Sequence, residues 1–175
     1  MAVETRTLIP VEEYLHTSYI PDCDYVDGEV LERNVGEHDH ASLQLRIGSY
    51  LLTTYEKKGF VVVVEQRVQV SPTRYRVPDV CLTRAEVPME QIFRKPPLVV
   101  IEILSPEDRF FNMQRRIDDY LAFGVPNIWV IDPKERCAFV CGREGRAGTS
   151  VESKDLILRT ADGAVVPLPE IFGQL

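Results

Sequence analysis

Two segments of this chain each place one carboxylate among apolar, β-branched residues. Residues 76–80 contain Asp79, and residues 98–106 contain Glu102. Such segments are typical of strands that are buried on both faces of a sheet. A buried carboxylate without a partner is costly, so it is usually neutralised, paired with a cation or bound to a metal ion. If the two strands are neighbours, Asp79 and Glu102 meet and form the core of a divalent-metal site.

The composition is that of an ordinary globular protein. The 175 residues are 45% apolar and 27% charged, and this length predicts one domain over residues 1–175. The sequence has no transmembrane-length apolar run and no signal-peptide pattern, so we expect no membrane contact. The net charge of −7 argues against nonspecific nucleic-acid binding, although a local basic cleft or a metal ion can offset it. The four cysteines lack zinc-binding spacing and fit a reducing cytoplasm.

The hydrophobic pattern predicts helices packed on a mixed sheet, an α/β (α+β) fold. Helices are predicted at residues 11–15, 37–58 and 107–123. Strands are predicted at residues 60–70, around Asp79 and Glu102, at residues 127–131 and 136–140, and near residues 155–159. A hairpin is predicted at residues 25–31, with its turn at Asp27-Gly28. In the helix at 107–123, the predicted core stripe is Phe110, Met113, Ile117 and Leu121, with Ser105-Pro106 at its start.

The order of a strand with Asp, a strand with Glu and then a helix resembles the restriction-endonuclease-like, PD-(D/E)XK superfamily. More closely, the chain resembles the bacterial Uma-type family of restriction-endonuclease-like proteins. Six patches carry this resemblance in the family's order, namely residues 25–29, His40, residues 77–80, 102–106, 120–126 and 129–133. The resemblance implies a central mixed sheet flanked by helices. It also implies a DNA endonuclease that uses Mg²⁺ or Mn²⁺ and works as a homodimer.

The candidate metal ligands suit the chemistry of phosphodiester hydrolysis, which needs a cation to bind a phosphate oxygen and to lower the pKa of a water. Magnesium is satisfied by one or two carboxylates and several waters. Asp79 and Glu102 supply that minimum. Asp24 stands where the family has a glutamate, and it is a third ligand or an acid beside the metal. Alternatively, Asp79 caps a turn, or Glu102 forms an internal salt bridge with Arg116.

The cation of the implied site differs from that of the family. The family's lysine position, four residues before Tyr120, holds Arg116, and Asn112 replaces the family's aspartate one turn earlier. An arginine can stabilise a pentavalent phosphate electrostatically, but it stays protonated and cannot act as a general base. A helical wheel places Asn112, Arg116 and Tyr120 on one edge of the helix. These residues and His40 are candidates for contacts with the substrate or with the carboxylates.

Two functions of different class remain open. In the first, the chain is a divalent-metal-dependent DNA endonuclease, and three acidic groups and a cation converge in an open cleft. This function requires Asp79 and Glu102 to lie on the same face of the sheet. In the second, the chain is a catalytically impaired nuclease-fold module that binds nucleic acid or protein. There Arg116 pairs with Glu102 or Asp79 in the place of the metal.

Overall fold

The computed structural model describes residues 8–33, 37–88, 90–106, 108, 110–142, 149–151 and 157–173. In these residues the helices are α1 (Val11–His16), α2 (His38–Tyr55), α3 (Phe110–Phe123) and α4 (Leu168–Phe172). The first six strands are β1 (Asp24–Val26), β2 (Glu29–Leu31), β3 (Phe60–Val64), β4 (Val68–Ser71), β5 (Arg74–Arg76) and β6 (Val80–Arg84). The later strands are β7 (Val99–Ile103), β8 (Asn127–Asp132), β9 (Cys137–Cys141), β10 (Thr149–Val151), β11 (Ile157–Arg159) and β12 (Val165–Pro167). None of these helices is long and apolar enough to cross a membrane.

A mixed sheet forms the centre of the described structure. Its strand order is β10-β9-β8-β7-β6-β3, in which β7 and β8 are parallel and the other neighbours are antiparallel. The crossover from β7 to β8 contains α3, as a parallel connection requires. A smaller antiparallel sheet has the order β2-β1-β5-β4, and β11 pairs with β12. The predicted helices on a central mixed sheet are confirmed.

The two long helices cover opposite faces of the central sheet. Residues of α2 pack in one core cluster with Ile101 and Ile103 of β7. Residues of α3 pack in a second cluster with Val100 of the same strand. Because successive side chains of a strand point to opposite faces, Glu102 points to the side of α3. The strand is buried along its whole length, as predicted.

Several predicted elements lie close to their expected positions. The helix predicted at 37–58 is α2 followed by a 3-10 turn at Glu56–Lys58, and Gly59 ends it with a φ of 81°. The hairpin turns at Asp27-Gly28 with φ values of 51° and 100°, and type I′ turns require two such positive values. The strands predicted at 127–131 and 136–140 are β8 and β9. Of the strand predicted near 155–159, residues 157–159 form β11, and the first two positions lie outside the described residues.

The single strand predicted over residues 60–70 is wrong. The structure divides this segment into β3 and β4, which belong to different sheets. Between them, Glu65 has a φ of 50°, a left-handed conformation that interrupts the extended chain. Arg67 then forms a salt bridge of 2.6 Å with Asp22. A run of valines favours extended backbone in either sheet, so it carries no signal for the change of sheet.

The helix α3 begins at Phe110, later than predicted. Ser105-Pro106 therefore does not cap it, and the backbone N–H of Ser105 instead donates to the Asp108 carboxylate at 2.7 Å. Residues 107 and 109 lie outside the described residues. Phe110, predicted in the core stripe, is 75% exposed, whereas Met113 is buried. As the first residue of the helix, Phe110 precedes the part of α3 that packs on the sheet.

Candidate active site

Asp79 and Glu102 lie near each other beside two neighbouring strands. β6 and β7 are antiparallel, and Val80, which follows Asp79, faces Ile101, which precedes Glu102. The Asp79 carboxylate accepts a hydrogen bond from the N–H of Ile103, and its negative charge contributes to a raised pKa of Glu102. Cys81 has a raised pKa because it is buried and because both carboxylates carry negative charge nearby. The structure therefore brings the two predicted carboxylates close together.

The segment around Asp79 joins the two sheets and is not itself a strand, which corrects the prediction for residues 76–80. Arg76 ends β5 of the smaller sheet, and Val80 begins β6 of the central sheet. Between them, Pro78 has no N–H to donate to a ladder. Asp79 is 1% exposed and accepts a hydrogen bond of 2.7 Å from the backbone N–H of Ile103. This junction brings residues of the smaller sheet to the end of the central sheet.

Arg33 and His40 surround the Asp79 carboxylate. A guanidinium nitrogen of Arg33 donates to Oδ1, and the side chains of Arg33 and Asp79 are 9% and 2% exposed. Nε2 of His40 lies 3.4 Å from Oδ2. Burial alone would raise the pKa of Asp79, but the contacts of His40, Arg33 and the Ile103 N–H outweigh it and lower that pKa. Conversely, burial disfavours the charged imidazole, but Asp79 raises the pKa of His40 above its ordinary value.

Glu102 is buried between Tyr120 and Arg116. The Tyr120 hydroxyl donates to Oε1 at 2.6 Å, and Nη1 of Arg116 donates to Oε2 at 3.2 Å. Both Glu102 and Tyr120 are 0% exposed. Burial raises the pKa of Glu102 to about 7. The negative charge of Asp79 adds to this effect, and the positive charge of Arg116 opposes it. Of these two carboxyl groups, Asp79 is thus the stronger acid.

Asp24 is held by arginines and a backbone N–H. Its Oδ1 accepts from the N–H of Val77 at 2.9 Å, and its Oδ2 accepts from Arg76 at 2.8 Å and from Arg116 at 3.1 Å. Arg116 therefore bridges Asp24 and Glu102. Within the described part of the chain, no three or more His, Cys, Asp or Glu side chains form a metal-binding cluster. The expected convergence of three acidic groups is not present among these side chains.

A row of alternating acids and arginines runs from Asp24 to the protein surface. Arg76 contacts Asp24 through Nη1. Its Nη2 lies 2.6 Å from Oδ2 of Asp119 in α3. Asp119 accepts in addition from Arg74 at 2.8 Å, and Arg74 binds Asp27 of the hairpin turn at 2.5 Å. The row is buried at Arg76, which is 3% exposed, and exposed at Asp27. It connects the smaller sheet to α3.

The sequence matches the Uma2 family, described as "Putative restriction endonuclease", over residues 11–174. The chain belongs to this family. The match covers nearly the whole sequence and confirms the resemblance that the ordered patches indicated.

Comparison with solved structures shows that this Uma2 protein shares its fold with a protein of known structure. A "putative nuclease belonging to DUF820" from Anabaena variabilis is 21% identical, with a TM-score of 0.83 over 94% of this chain and 98% of that chain. This likeness confirms the predicted restriction-endonuclease-like fold. DrdV in its complex with DNA is 20% identical over 62% of this chain and 67% of that chain, and its TM-score of 0.38 is too low to show a shared fold. No curated protein sequence matches significantly.

Three charged residues of the site in this Uma2 protein were not predicted from the sequence, namely Arg33, Arg76 and Asp119. Arg76 directly precedes a buried apolar segment, and that position is the signal that could have identified it. Arg33 follows the hairpin in a polar stretch and contacts a carboxylate 46 positions away, so no local pattern reveals it. Asn112, a candidate from the family pattern, is exposed on α3.

We expect the metal-free Uma2 protein to lose stability as the pH rises from 4.5 to about 7. Folded Glu102 has a pKa of about 7, whereas its ordinary value is 4.5. The folded state therefore binds more protons than the unfolded state between these values, and its free energy of unfolding falls as they are released. His40 acts in the same direction, because its folded pKa is raised and its stabilisation is lost as the pH rises through that pKa. Asp79 acts only at lower pH, because its folded pKa is below 3.8.

Urea denaturation at a series of pH values, in buffer with a chelator, measures this dependence. Replacing Glu102 with glutamine removes the titrating group and keeps the size of the side chain, so the Glu102→Gln variant should show a flatter profile than the wild type. Equal slopes in the two proteins would contradict the assignment to Glu102.

Proposed function

We propose that this chain is a divalent-metal-dependent DNA endonuclease with Asp79 and Glu102 as its metal ligands. The observation that supports the proposal is the placement of these two buried carboxylates near each other, with Asp79 bonded to the N–H of Ile103, the residue after Glu102. The family to which the chain belongs is described as "Putative restriction endonuclease". DNA is accordingly the proposed substrate, and hydrolysis of its phosphodiester bonds is the proposed reaction.

The donor chemistry of the two residues fits Mg²⁺ or Mn²⁺. Carboxylate oxygens are the hard ligands that magnesium prefers, and one or two of them suffice because the ion keeps several waters. Tyr120 and the backbone N–H of Ile103 hold the two carboxylates in position, as partners behind metal ligands commonly do. When bound, such a cation contacts a phosphate oxygen and lowers the pKa of a water.

Arg116 is the residue that we propose to stabilise the negative charge that develops on the phosphate during hydrolysis. Its side chain is 14% exposed and is oriented by Asp24 and Glu102 together. A fixed positive charge beside the phosphate stabilises the transition state without reorganisation. Because a guanidinium stays protonated, Arg116 cannot remove a proton from the attacking water. His40, whose Nε2 lies 3.4 Å from Oδ2 of Asp79, is the further side chain that would contact the substrate.

A second candidate function is binding without efficient hydrolysis. Arg33 pairs with Asp79, and Arg116 pairs with Glu102. Two guanidinium groups thus stand beside the two carboxylates that the proposed metal would use. If these pairs are permanent, the charges of the site are satisfied without a metal. The chain would then serve as a nuclease-fold module for nucleic acid or protein.

A metal titration combined with DNA cleavage tests the two candidates. We expect millimolar Mg²⁺ or Mn²⁺ to raise the melting temperature, because a ligand that binds only the folded state stabilises it by about 2.7 kcal/mol at a hundredfold excess over its Kd. The Asp79→Asn variant should show no such shift. The same metals should support cleavage of supercoiled plasmid DNA at physiological ionic strength, and a chelator should abolish it.

Asp22→Asn is the matched control for this titration, because Asp22 pairs with Arg67 outside the site. It should keep both the metal shift and the cleavage. A wild-type melting curve that is unchanged by metal, together with intact plasmid, would reject the endonuclease and leave the binding module.

We also propose that the protein works as a homodimer in the cytoplasm. The homodimer is proposed by analogy with other single-domain nucleases of the superfamily. The cytoplasmic location is proposed from the cysteine usage. Sedimentation analysis with and without DNA measures the oligomeric state directly.

A further inference from the structure

Arg33 fills the space beside Asp79 that a bound cation needs. The room left between Arg33, His40, Asp79 and their neighbours is about 10 Å³, which is about the space of a single water. A magnesium ion keeps several of its waters when it binds a protein. A hydrated cation therefore reaches Asp79 only after the Arg33 side chain has moved away.

Each of the carboxylates Asp24, Asp79 and Glu102 already has a positively charged partner. Asp79 pairs with Arg33, Glu102 pairs with Arg116, and Asp24 pairs with Arg76 and Arg116. A divalent cation added to this buried group would be repelled by the guanidinium groups, and the repulsion is strong where water is excluded. The departure of one arginine reduces that repulsion.

Arg33 is the arginine that is best placed to leave. Arg116 bridges Asp24 and Glu102, and Arg76 likewise contacts two carboxylates. Both are anchored in regular elements, α3 and β5. Arg33 instead lies beyond the end of β2, and its salt bridge is with Asp79. Among the residues that the structure describes, moving Arg33 breaks one ion pair, whereas moving Arg76 or Arg116 breaks two.

An acidic cavity of about 420 Å³ adjoins the site and offers the released guanidinium new partners. It shares His40, Ser105 and Asp108 with the space around Asp79. Its lining also includes the acidic residues Glu37, Asp39, Asp132 and Glu135, and the basic residue Lys134. A guanidinium forms charge-assisted hydrogen bonds readily with such carboxylates, so Arg33 keeps a favourable environment after it leaves Asp79.

We propose that Arg33 is the internal counter-ion of the metal-free site and that it leaves Asp79 when a divalent cation binds. This inference rests on the proposed metal site at Asp79 and Glu102. It makes Arg33 a determinant of metal affinity, because the apparent affinity is reduced by the fraction of molecules in which Arg33 still occupies the site.

Calorimetric titration with Mn²⁺ alone tests the inference on the full chain without DNA. Arg33→Met keeps much of the length of the side chain and removes its charge, so we expect it to bind Mn²⁺ about tenfold more tightly than the wild type, or better. Without metal, the variant should melt at a lower temperature because the buried Asp79 has lost its guanidinium. Added Mn²⁺ should recover that loss. Arg33→Gln serves as a second variant if the methionine variant does not fold.

Arg67→Met is the control, because Arg67 is also a half-buried arginine in a salt bridge but lies outside the site. It should bind Mn²⁺ as the wild type does. Mn²⁺ binding by the wild type with equal or weaker binding by the folded Arg33 variants overturns the inference and leaves the proposed metal site intact. No Mn²⁺ binding by any of the folded proteins overturns the metal site and the inference together.

Discussion

Replacing Arg76 with methionine is expected to lower the free energy of unfolding by about 3–5 kcal/mol, because it removes one partner from two buried ion pairs. Arg76 is 3% exposed and contacts Asp24 at 2.8 Å and Asp119 at 2.6 Å. Both carboxylates are themselves buried. Without Arg76 they keep part of their hydrogen bonds but lose a charge that water cannot replace. Urea denaturation of the metal-free protein measures the change.

Arg94→Met is the surface control for this experiment. Arg94 pairs with Glu90 at 3.9 Å, and the two side chains are 54% and 41% exposed. Such a pair contributes about 0–1 kcal/mol because water and salt screen it. A loss of similar size in the Arg76 and Arg94 variants would mean that the buried row of charges does not stabilise the junction of the two sheets.

Replacing Arg116 with lysine is expected to strengthen metal binding and to raise the rate of DNA cleavage. Arg116 uses two nitrogens to bridge Asp24 and Glu102, and a lysine cannot reproduce that fork. A hydrogen bond to a charged group is worth about 1.5–3 kcal/mol. Releasing one from Glu102 should therefore tighten metal binding about tenfold, since each 1.4 kcal/mol corresponds to about a factor of ten.

Replacing Arg116 with alanine should have a different result. Asp24 and Glu102 lose their shared counter-ion, so the metal-free protein should lose about 3–5 kcal/mol of stability, and added magnesium should restore part of it. Thermal melts of the wild type and both variants, with and without metal, distinguish the two effects.

Arg115→Lys is the matched control for the lysine variant, because Arg115 is the exposed neighbour on the same helix. It should change neither metal binding nor cleavage. Faster cleavage by Arg116→Lys would mean that the active site is intact and that the arginine at position 116 lowers its activity. If neither the wild type nor Arg116→Lys cleaves DNA and both are folded, the fold is retained for binding.

The local elements of this protein could be predicted because they depend on patterns within single segments. The apolar run around Glu102 predicted a strand buried on both faces, and the structure shows one in β7. The helical spacing of apolar residues predicted α2, and Asp27-Gly28 predicted the hairpin turn. The periodicity of apolar side chains indicates whether one face of an element or both faces are buried. The ordered patches also indicated the family, which the match over residues 11–174 confirms.

The partners of the charged residues were decided only by the tertiary structure. A sequence shows that Arg33 and Arg76 carry a charge but not which carboxylate each one meets. Arg33 reaches Asp79 across 46 positions because the segment before β6 joins the smaller sheet to the central one. A second change of sheet, at Glu65, separates β3 from β4, where the valine pattern predicted one strand. Long-range ion pairs depend on how sheets and helices pack, and no local periodicity encodes that packing.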